Sequence, residues 1–371
     1  MIIGIPKEIK NHEYRVGLTP NSVHGCIAHG HRVLVQNNAG MGIGATDTDY
    51  KNVGAEIVPS ASDIFAKAEM IIKVKEPQAE ERAMLREGQI LYTYLHLAPD
   101  PEQTADLIKS GAICVAYETV TSPLGGLPLL APMSKVAGRL SIQAGAHCLE
   151  QPQGGLGVLL GGVPGVAPAK VVILGAGIVG THAAHIAVGM GAEVFMFDNN
   201  PDTLEAHWRH FGNQTQSIFS TASALQAHVL DADLVIGGVL IPGAAAPKLI
   251  SRQMIGSMKA GAVVVDVAID QGGCFETSKV TNYDDPTYIV DDVVHYCVAN
   301  MPGAVPRTST YALNNSTLPF ALNIADKGIK QALLDDPHLR HGLNVHSGRV
   351  TYEQVAKDLS YDYVPAEECL K

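Results

Sequence analysis

Residues 171–200, VVILGAGIVGTHAAHIAVGMGAEVFMFDNN, leave this chain little freedom in how it folds. An apolar run ends at Gly175, Gly177 and Gly180, a helix-compatible stretch follows, and a second apolar run closes on Asp198. Two short strands joined through a helix lie parallel, and a parallel sheet needs helices on its faces. The glycines have separate duties: a tight turn, close approach of backbone to a ligand, and close packing of helix on strand. The helix N-terminus, with Ile178 and Val179 in its first turn, offers unpaired N–H groups to a diphosphate. Asp198 stands about 20 residues on, where the dinucleotide fingerprint places a ribose-binding acid. Its carboxylate suits a 2′-hydroxyl and repels a 2′-phosphate, which points to NAD rather than NADP. The plainer alternative, a glycine turn with Asp198 capping the next helix, leaves the shared register of strand, helix and acid unexplained.

Further strands follow in the same series: TQSIFS, ADLVIGGV, GAVVVDVAI and a last one near HYCVAN. Ligands of open parallel sheets bind outside the carboxyl ends of the strands. That rule nominates Ser220, Val239 and Leu240, the run Val267, Ala268, Ile269 and Asp270, and the run Val298, Ala299, Asn300 and Met301. Ser134, at the start of a long helical stretch (133–151), could reach the phosphates from the side.

The first 130 residues alternate apolar strands (MIIGIP, HRVLVQ, MIIKVK, QILYTYLHL, AICVAYETV) with helical stretches, several closed by glycine. A Pro/Gly-rich segment at 121–132 marks a boundary. The C-terminal segment after MPGAVPRTST turns helical and has no strand partner in the second series, so it should return to the first. The expected division is residues 1–130 plus 305–371 for one domain and 131–304 for the other. Length agrees, since 371 residues suit two domains.

A formal net charge of −11 argues against nucleic acid or an anionic membrane as the main partner. The apolar runs are too short and too interrupted by glycine to span a bilayer, and the N-terminus reads as an opening strand, not a signal peptide. Six cysteines lack CxxC spacing, which fits reduced thiols in a cytoplasmic protein and no zinc framework. No metal constellation is visible.

Four side chains outside the nucleotide fingerprint can carry chemistry. His96 closes the apolar run ILYTYLHL, where it is either a satisfied structural histidine or an acid/base group with a suitable pKa range. Position alone favours the structural reading. Arg15 can fork onto a carboxylate, and Lys75 can bind a carboxylate or a developing carbonyl oxygen. Asp270 follows an apolar strand. Asp266, in the same strand, reads as structural, Glu118 as polar support, and the cysteines as small buried groups.

Taken in order, IPKEIKNHEYRVGLTP (5–20), KVKEP (73–77), YLHLAP (94–99), LGAGIVG (174–180), DVAIDQGG (266–273) and MPGAVPRTST (301–310) make the chain resemble the bacterial branch of the alanine dehydrogenase/NAD(H) transhydrogenase family. The resemblance runs over essentially the full length. It implies an α/β fold of two Rossmann-like domains, each a mostly parallel doubly wound sheet, with a cleft between them. It further implies reversible oxidation of L-alanine by NAD and water to pyruvate and ammonium. Carried over residue by residue, it makes Arg15 and Lys75 substrate-binding, His96 and Asp270 catalytic, and the strand-end positions above nucleotide contacts. The departures are Thr203, where relatives often have a basic residue, and Lys279 in place of arginine, both in the cofactor-binding set. A homo-oligomer, commonly a hexamer, is implied too. The rivals are the NAD(H)-binding component of a proton-translocating transhydrogenase, a saccharopine-type dehydrogenase with a larger pocket, and a non-catalytic NAD-binding regulatory module. The joint presence of Arg15, Lys75, His96 and Asp270 weighs against the first and last.

Overall fold

The computed structural model describes residues 1–239 and 246–371, so that Leu240 alone among the nominated positions lies outside the described residues. The chain divides into two compact units, Met1–Met133 with Gly303–Lys371, and Ser134–Pro302. Unit 1 opens with strands β1 (Ile2–Ile5), β2 (Arg32–Gln36), β3 (Glu56–Val58), β4 (Met70–Ile72), β5 (Ile90–Thr93) and β6 (Ile113–Ala116). Unit 2 carries β7 (Lys170–Leu174), β8 (Glu193–Asp198), β9 (Gln216–Phe219), β10 (Leu234–Gly237), β11 (Val263–Asp266), β12 (Thr287–Val290) and β13 (Val293–Tyr296). The chain then returns to unit 1 for β14 (Leu343–His346) and β15 (Arg349–Val350).

Unit 1 is an eight-stranded sheet ordered β15-β14-β6-β5-β4-β1-β2-β3. Its first six strands pair in parallel, and β14 and β15 extend the edge antiparallel. The central strands β4, β5 and β6 are buried at every position. That explains their unbroken apolar runs, because helices cover both faces of a parallel sheet. The long C-terminal helix Pro306–Lys327 packs back on this unit: Asn314 donates to the Gly17 carbonyl at 2.9 Å and accepts from the Thr19 N–H at 2.7 Å.

Unit 2 is a seven-stranded sheet ordered β12-β13-β11-β10-β7-β8-β9, parallel except at β12. From β7 the chain winds outward through β8 and β9, then crosses back to β10 and winds the other way. Among the described residues no helix is long and apolar enough to cross a membrane.

Several expected boundaries move. The strand read as 89–97 stops at Thr93, and residues 94–97 stay buried or near the surface as loop. The apolar pattern persists because Tyr94, Leu95 and Leu97 are core residues without being strand residues. β11 likewise ends at Asp266, so Asp270 stands not at a strand end but in the 3₁₀ turn Val267–Gln271. Edge strands β3 and β12 are half-exposed and carry no buried run to announce them. The C-terminal segment is not wholly helical: β14 and β15 form because β6 offers an unpaired edge, a tertiary cause invisible to local pattern.

One ionic cluster ties unit 1 together. Lys73, fully buried just past β4, donates to Glu8 at 2.9 Å and to Glu81 at 2.7 Å. Glu8 also accepts the Val74 N–H at 2.6 Å. Burial pushes the Glu8 carboxyl up despite Lys73, while the two carboxylates outweigh burial and hold the Lys73 ammonium above its usual range. Lys73→Met should therefore lower unfolding free energy by about 3–5 kcal/mol, because two buried carboxylates lose their counter-charge. Urea titrations of the two proteins measure the difference.

Candidate active site

In unit 1 the strand order places β1, β4, β5 and β6 side by side, and the segments leaving their carboxyl ends carry Arg15, Lys75, His96 and Glu118. Arg15 lies in the loop between β1 and the helix Pro20–Ala28 and is 2% exposed. Glu13 takes one edge of its fork, through Nε at 2.6 Å and Nη2 at 2.5 Å, and accepts the Arg15 backbone N–H at 3.0 Å. Nη1 lies 3.0 Å from the Met133 sulfur. Burial works against this charge, but Glu13 outweighs it and holds the guanidinium above its ordinary pKa. A guanidinium has a second bidentate edge, between Nη1 and Nη2, with the geometry a carboxylate requires.

Tyr94 links Arg15 to His96. Its ring stacks on the imidazole with centroids 5.9 Å apart and planes 12° from parallel, and its hydroxyl donates to the Leu129 carbonyl at 2.5 Å. Burial drives the phenol pKa up, and the nearby Arg15 charge acts in the opposite sense. His96 itself is exposed and has φ of 49°, the left-handed region that a histidine seldom occupies. Such outliers concentrate at functional positions, where the surrounding contacts hold them. Lys75 follows the ionic cluster; its carbonyl accepts from the Thr93 hydroxyl at 3.0 Å, and its charge helps Lys10 hold Glu76 below the ordinary carboxyl range against burial.

In unit 2 the strand order reverses between β7 and β10; the glycine turn follows β7, Val239 follows β10, Asp198 ends β8, and Ser220 follows β9 at the sheet's edge. Gly175 turns the chain at φ of 94°. A side chain on Gly180 would lie 1.8 Å from the Gly175 carbonyl oxygen, so helix and turn touch there. Gly177 differs. Among the described residues, a Cβ there meets no atom within 4 Å beyond its own chain neighbours and helix backbone, its backbone is in an extended conformation any residue can adopt, and no described side chain caps the helix it begins. The open volume lies at the positive end of a twelve-residue helix, Ile178–Gly189. This fits a diphosphate approaching the backbone. Asp198, at the end of β8, accepts the Ala176 N–H and the Asn200 N–H, each at 2.8 Å, and so stands fixed beside the turn. The cap of the next helix is Asn200, not Asp198.

The remaining positions sort by exposure. Ile178 is exposed and Val179 buried; Ser220 and Val239 are half-buried at the ends of β9 and β10. Thr203 lies in the first turn of the helix Pro201–Phe211 with its N–H facing the Asn200 side chain at 3.4 Å. Val267 is half-buried, Ala268 and Ile269 buried, and Asp270 exposed. Asp266, fully buried, accepts from Ala268 N–H at 3.1 Å, from Cys274 N–H at 2.9 Å and from the Ser278 hydroxyl, the structural role expected of it. Val298 and Met301 are buried, Ala299 and Asn300 half-buried, and Asn300 repeats the left-handed conformation with φ of 61°. Lys279 is exposed, its N–H held by the Tyr288 hydroxyl at 2.7 Å. Ser134 opens unit 2 in the first turn of the helix Ala131–Cys148. Glu13 and the stacking role of Tyr94 escaped sequence reasoning; an acid two residues from an arginine in a loop follows no periodic rule.

The fold and site define a two-unit α/β protein with a dinucleotide-type fingerprint in one unit and a cation-lined sheet edge in the other. The chain matches the family described as alanine dehydrogenase/PNT, by its N-terminal domain over residues 4–137 and its C-terminal domain over 141–353. It belongs to that family. It is 57% identical over 366 residues to an alanine dehydrogenase of Halomonas elongata, covering 99% of each chain. A solved L-alanine dehydrogenase superposes with a TM-score of 0.94 at 51% identity, covering 97% of this chain and 99% of that one. A transhydrogenase of Sinorhizobium meliloti matches at 0.81 and 25% identity, covering 95% and 99%.

The Gly177 geometry makes a separable prediction. Gly177→Ala should fold with a melting temperature within about 2 °C of the parent. Its affinity for ADP-ribose should fall on the order of tenfold or more. Calorimetry of melting and of ligand titration reads both quantities.

Proposed function

We propose that this chain is an NAD-dependent L-alanine dehydrogenase, converting L-alanine, NAD and water to pyruvate, ammonium, NADH and a proton, reversibly. The observation that carries the reading is the gathering of Arg15, Lys75 and His96 at the carboxyl ends of adjacent strands, in a chain 57% identical to an alanine dehydrogenase over nearly its whole length. Unit 1 is then the substrate domain and unit 2 the nucleotide domain. Gly177 lets the diphosphate of NAD approach the backbone, at a turn that Gly175 makes and Gly180 packs against; Asp198 binds its adenosine ribose, and the other strand-end positions, with Ser134, Thr203 and Lys279, its remaining surface. When bound, NAD accepts the hydride from the substrate Cα.

Arg15 binds the substrate carboxylate through its guanidinium, which Glu13 holds in place. Lys75 adds a second positive charge toward the carboxylate or the forming carbonyl oxygen. Loss of hydride leaves an iminium carbon, which water attacks. The substrate reacts as its free amine, its ammonium having given a proton to solvent. His96 takes a proton from the attacking water and returns it to the nitrogen; as the C–N bond breaks and pyruvate forms, the hydroxyl proton passes to His96, and the departing ammonia regains a proton from solvent. Asp270 supplies the polar contact to the amine or the water. A homo-oligomer, a hexamer by family resemblance, working in the cytoplasm with its thiols reduced, completes the reading. Among the described residues all six cysteines are free, which supports it.

The transhydrogenase reading has weaker support, with 25% identity against 51% for the solved alanine dehydrogenase. NADH oxidation that depends on both pyruvate and ammonium is the expected result for the purified chain; NADH binding without that turnover would overturn the assignment. His96→Ala should bind NADH as the parent does while kcat falls by ~10²–10⁴.

A further inference from the structure

Resting on the assignment of His96 as the proton carrier, we infer that Glu118 is the positioning residue that sets the His96 imidazole, acting through the backbone and by its reach. The residue is exposed, and one face of its ring lies on Tyr94. What is fixed is the main chain. Glu118 Oε1 accepts the His96 N–H at 2.6 Å and the Leu95 N–H at 3.1 Å, and Oε2 accepts the Leu95 N–H at 3.2 Å.

Topology brings these groups together. β5 and β6 pair in parallel with Thr93 opposite Ala116, so the residues just past each strand are neighbours. Glu118 sits in the 3₁₀ turn Tyr117–Thr119 that leaves β6, and Leu95 and His96 sit in the loop that leaves β5. Tyr117 anchors that turn, donating to the Lys73 carbonyl at 3.1 Å and packing edge-on against Tyr92 and Tyr94. Two consecutive N–H groups that would otherwise continue a strand ladder point instead at one carboxylate. That arrangement stops β5 and supports the left-handed φ of 49° at His96. The Leu95 carbonyl is held from the other side by the Gln103 amide at 2.7 Å. Glu118 thus acts on the main chain, and through it determines where the ring of His96 is carried.

Reach and charge are separable by substitution. Glu118→Gln keeps an oxygen at the Oε1 position and loses the charge. Glu118→Asp keeps the charge but is shorter by one carbon–carbon bond, roughly 1.5 Å, so it cannot serve both N–H groups unless the turn moves. In the pyruvate-plus-ammonium assay, Glu118→Gln should lose no more than about threefold in kcat, and Glu118→Asp about tenfold or more. In both, KM for pyruvate should stay within about twofold, since Arg15 and Lys75 are untouched. NADH binding reports that each variant is folded. Equal kcat for Glu118→Asp and the parent would overturn the inference, as would the reverse order, with the aspartate active and the glutamine impaired. A Glu118→Asp variant that loses NADH binding would overturn it too, by making the residue a determinant of folding. An inactive parent would instead sink the functional assignment, which keeps the two failures distinct.

Discussion

Unit 1 depends on an ammonium buried between two carboxylates. Glu8 lies on the segment leaving β1, Lys73 on the segment leaving β4, and Glu81 on the short helix Ala79–Arg82. Desolvating three charges is costly, and a buried pair often contributes less than an apolar replacement of the same volume. What the arrangement supplies is registration. Glu8 grips both the Lys73 ammonium and the Val74 N–H, so the segment that continues to Arg15 and the segment that continues to Lys75 leave the sheet from a common anchor. Glu13 repeats the device one turn of loop later, clamping the guanidinium it precedes. Lys73 and Arg15 are thus held by carboxylates that are themselves buried.

Both units use the same edge of the same kind of sheet. Parallel strands end together, so the segments leaving them converge without any long-range instruction in the sequence. In unit 2 the convergence surrounds a glycine turn whose backbone opens at the N-terminus of a helix. In unit 1 it surrounds charged side chains held by charged side chains. Under the proposed function the difference follows from the chemistry each would meet: a diphosphate matches N–H groups at a helix terminus, whereas a small amino acid offers a carboxylate and an amine that ask for opposite charges.

Much of this was legible before any coordinates. The fingerprint at Gly175–Gly180, the acid at Asp198 and the parallel order of most strands follow from local pattern. So does the return of the C-terminal segment to the first unit, since it lacked a partner elsewhere. What was not legible has one cause in several forms: a tertiary partner decided it. β5 stops at Thr93 because Glu118 captures the next N–H groups, although Tyr94, Leu95 and Leu97 keep the apolar pattern of a strand. β14 exists because β6 has a free edge. Asp270 stands beyond its strand because Asp266 caps a 3₁₀ turn.

The exposure of His96 has a consequence for where protons go. One face of the imidazole lies on Tyr94, and the residue is exposed. Under the proposed mechanism the proton released in each oxidative cycle leaves from this ring. It can pass directly to bulk water, with no chain of buried side chains to relay it. Solution buffers can then collect it at the source.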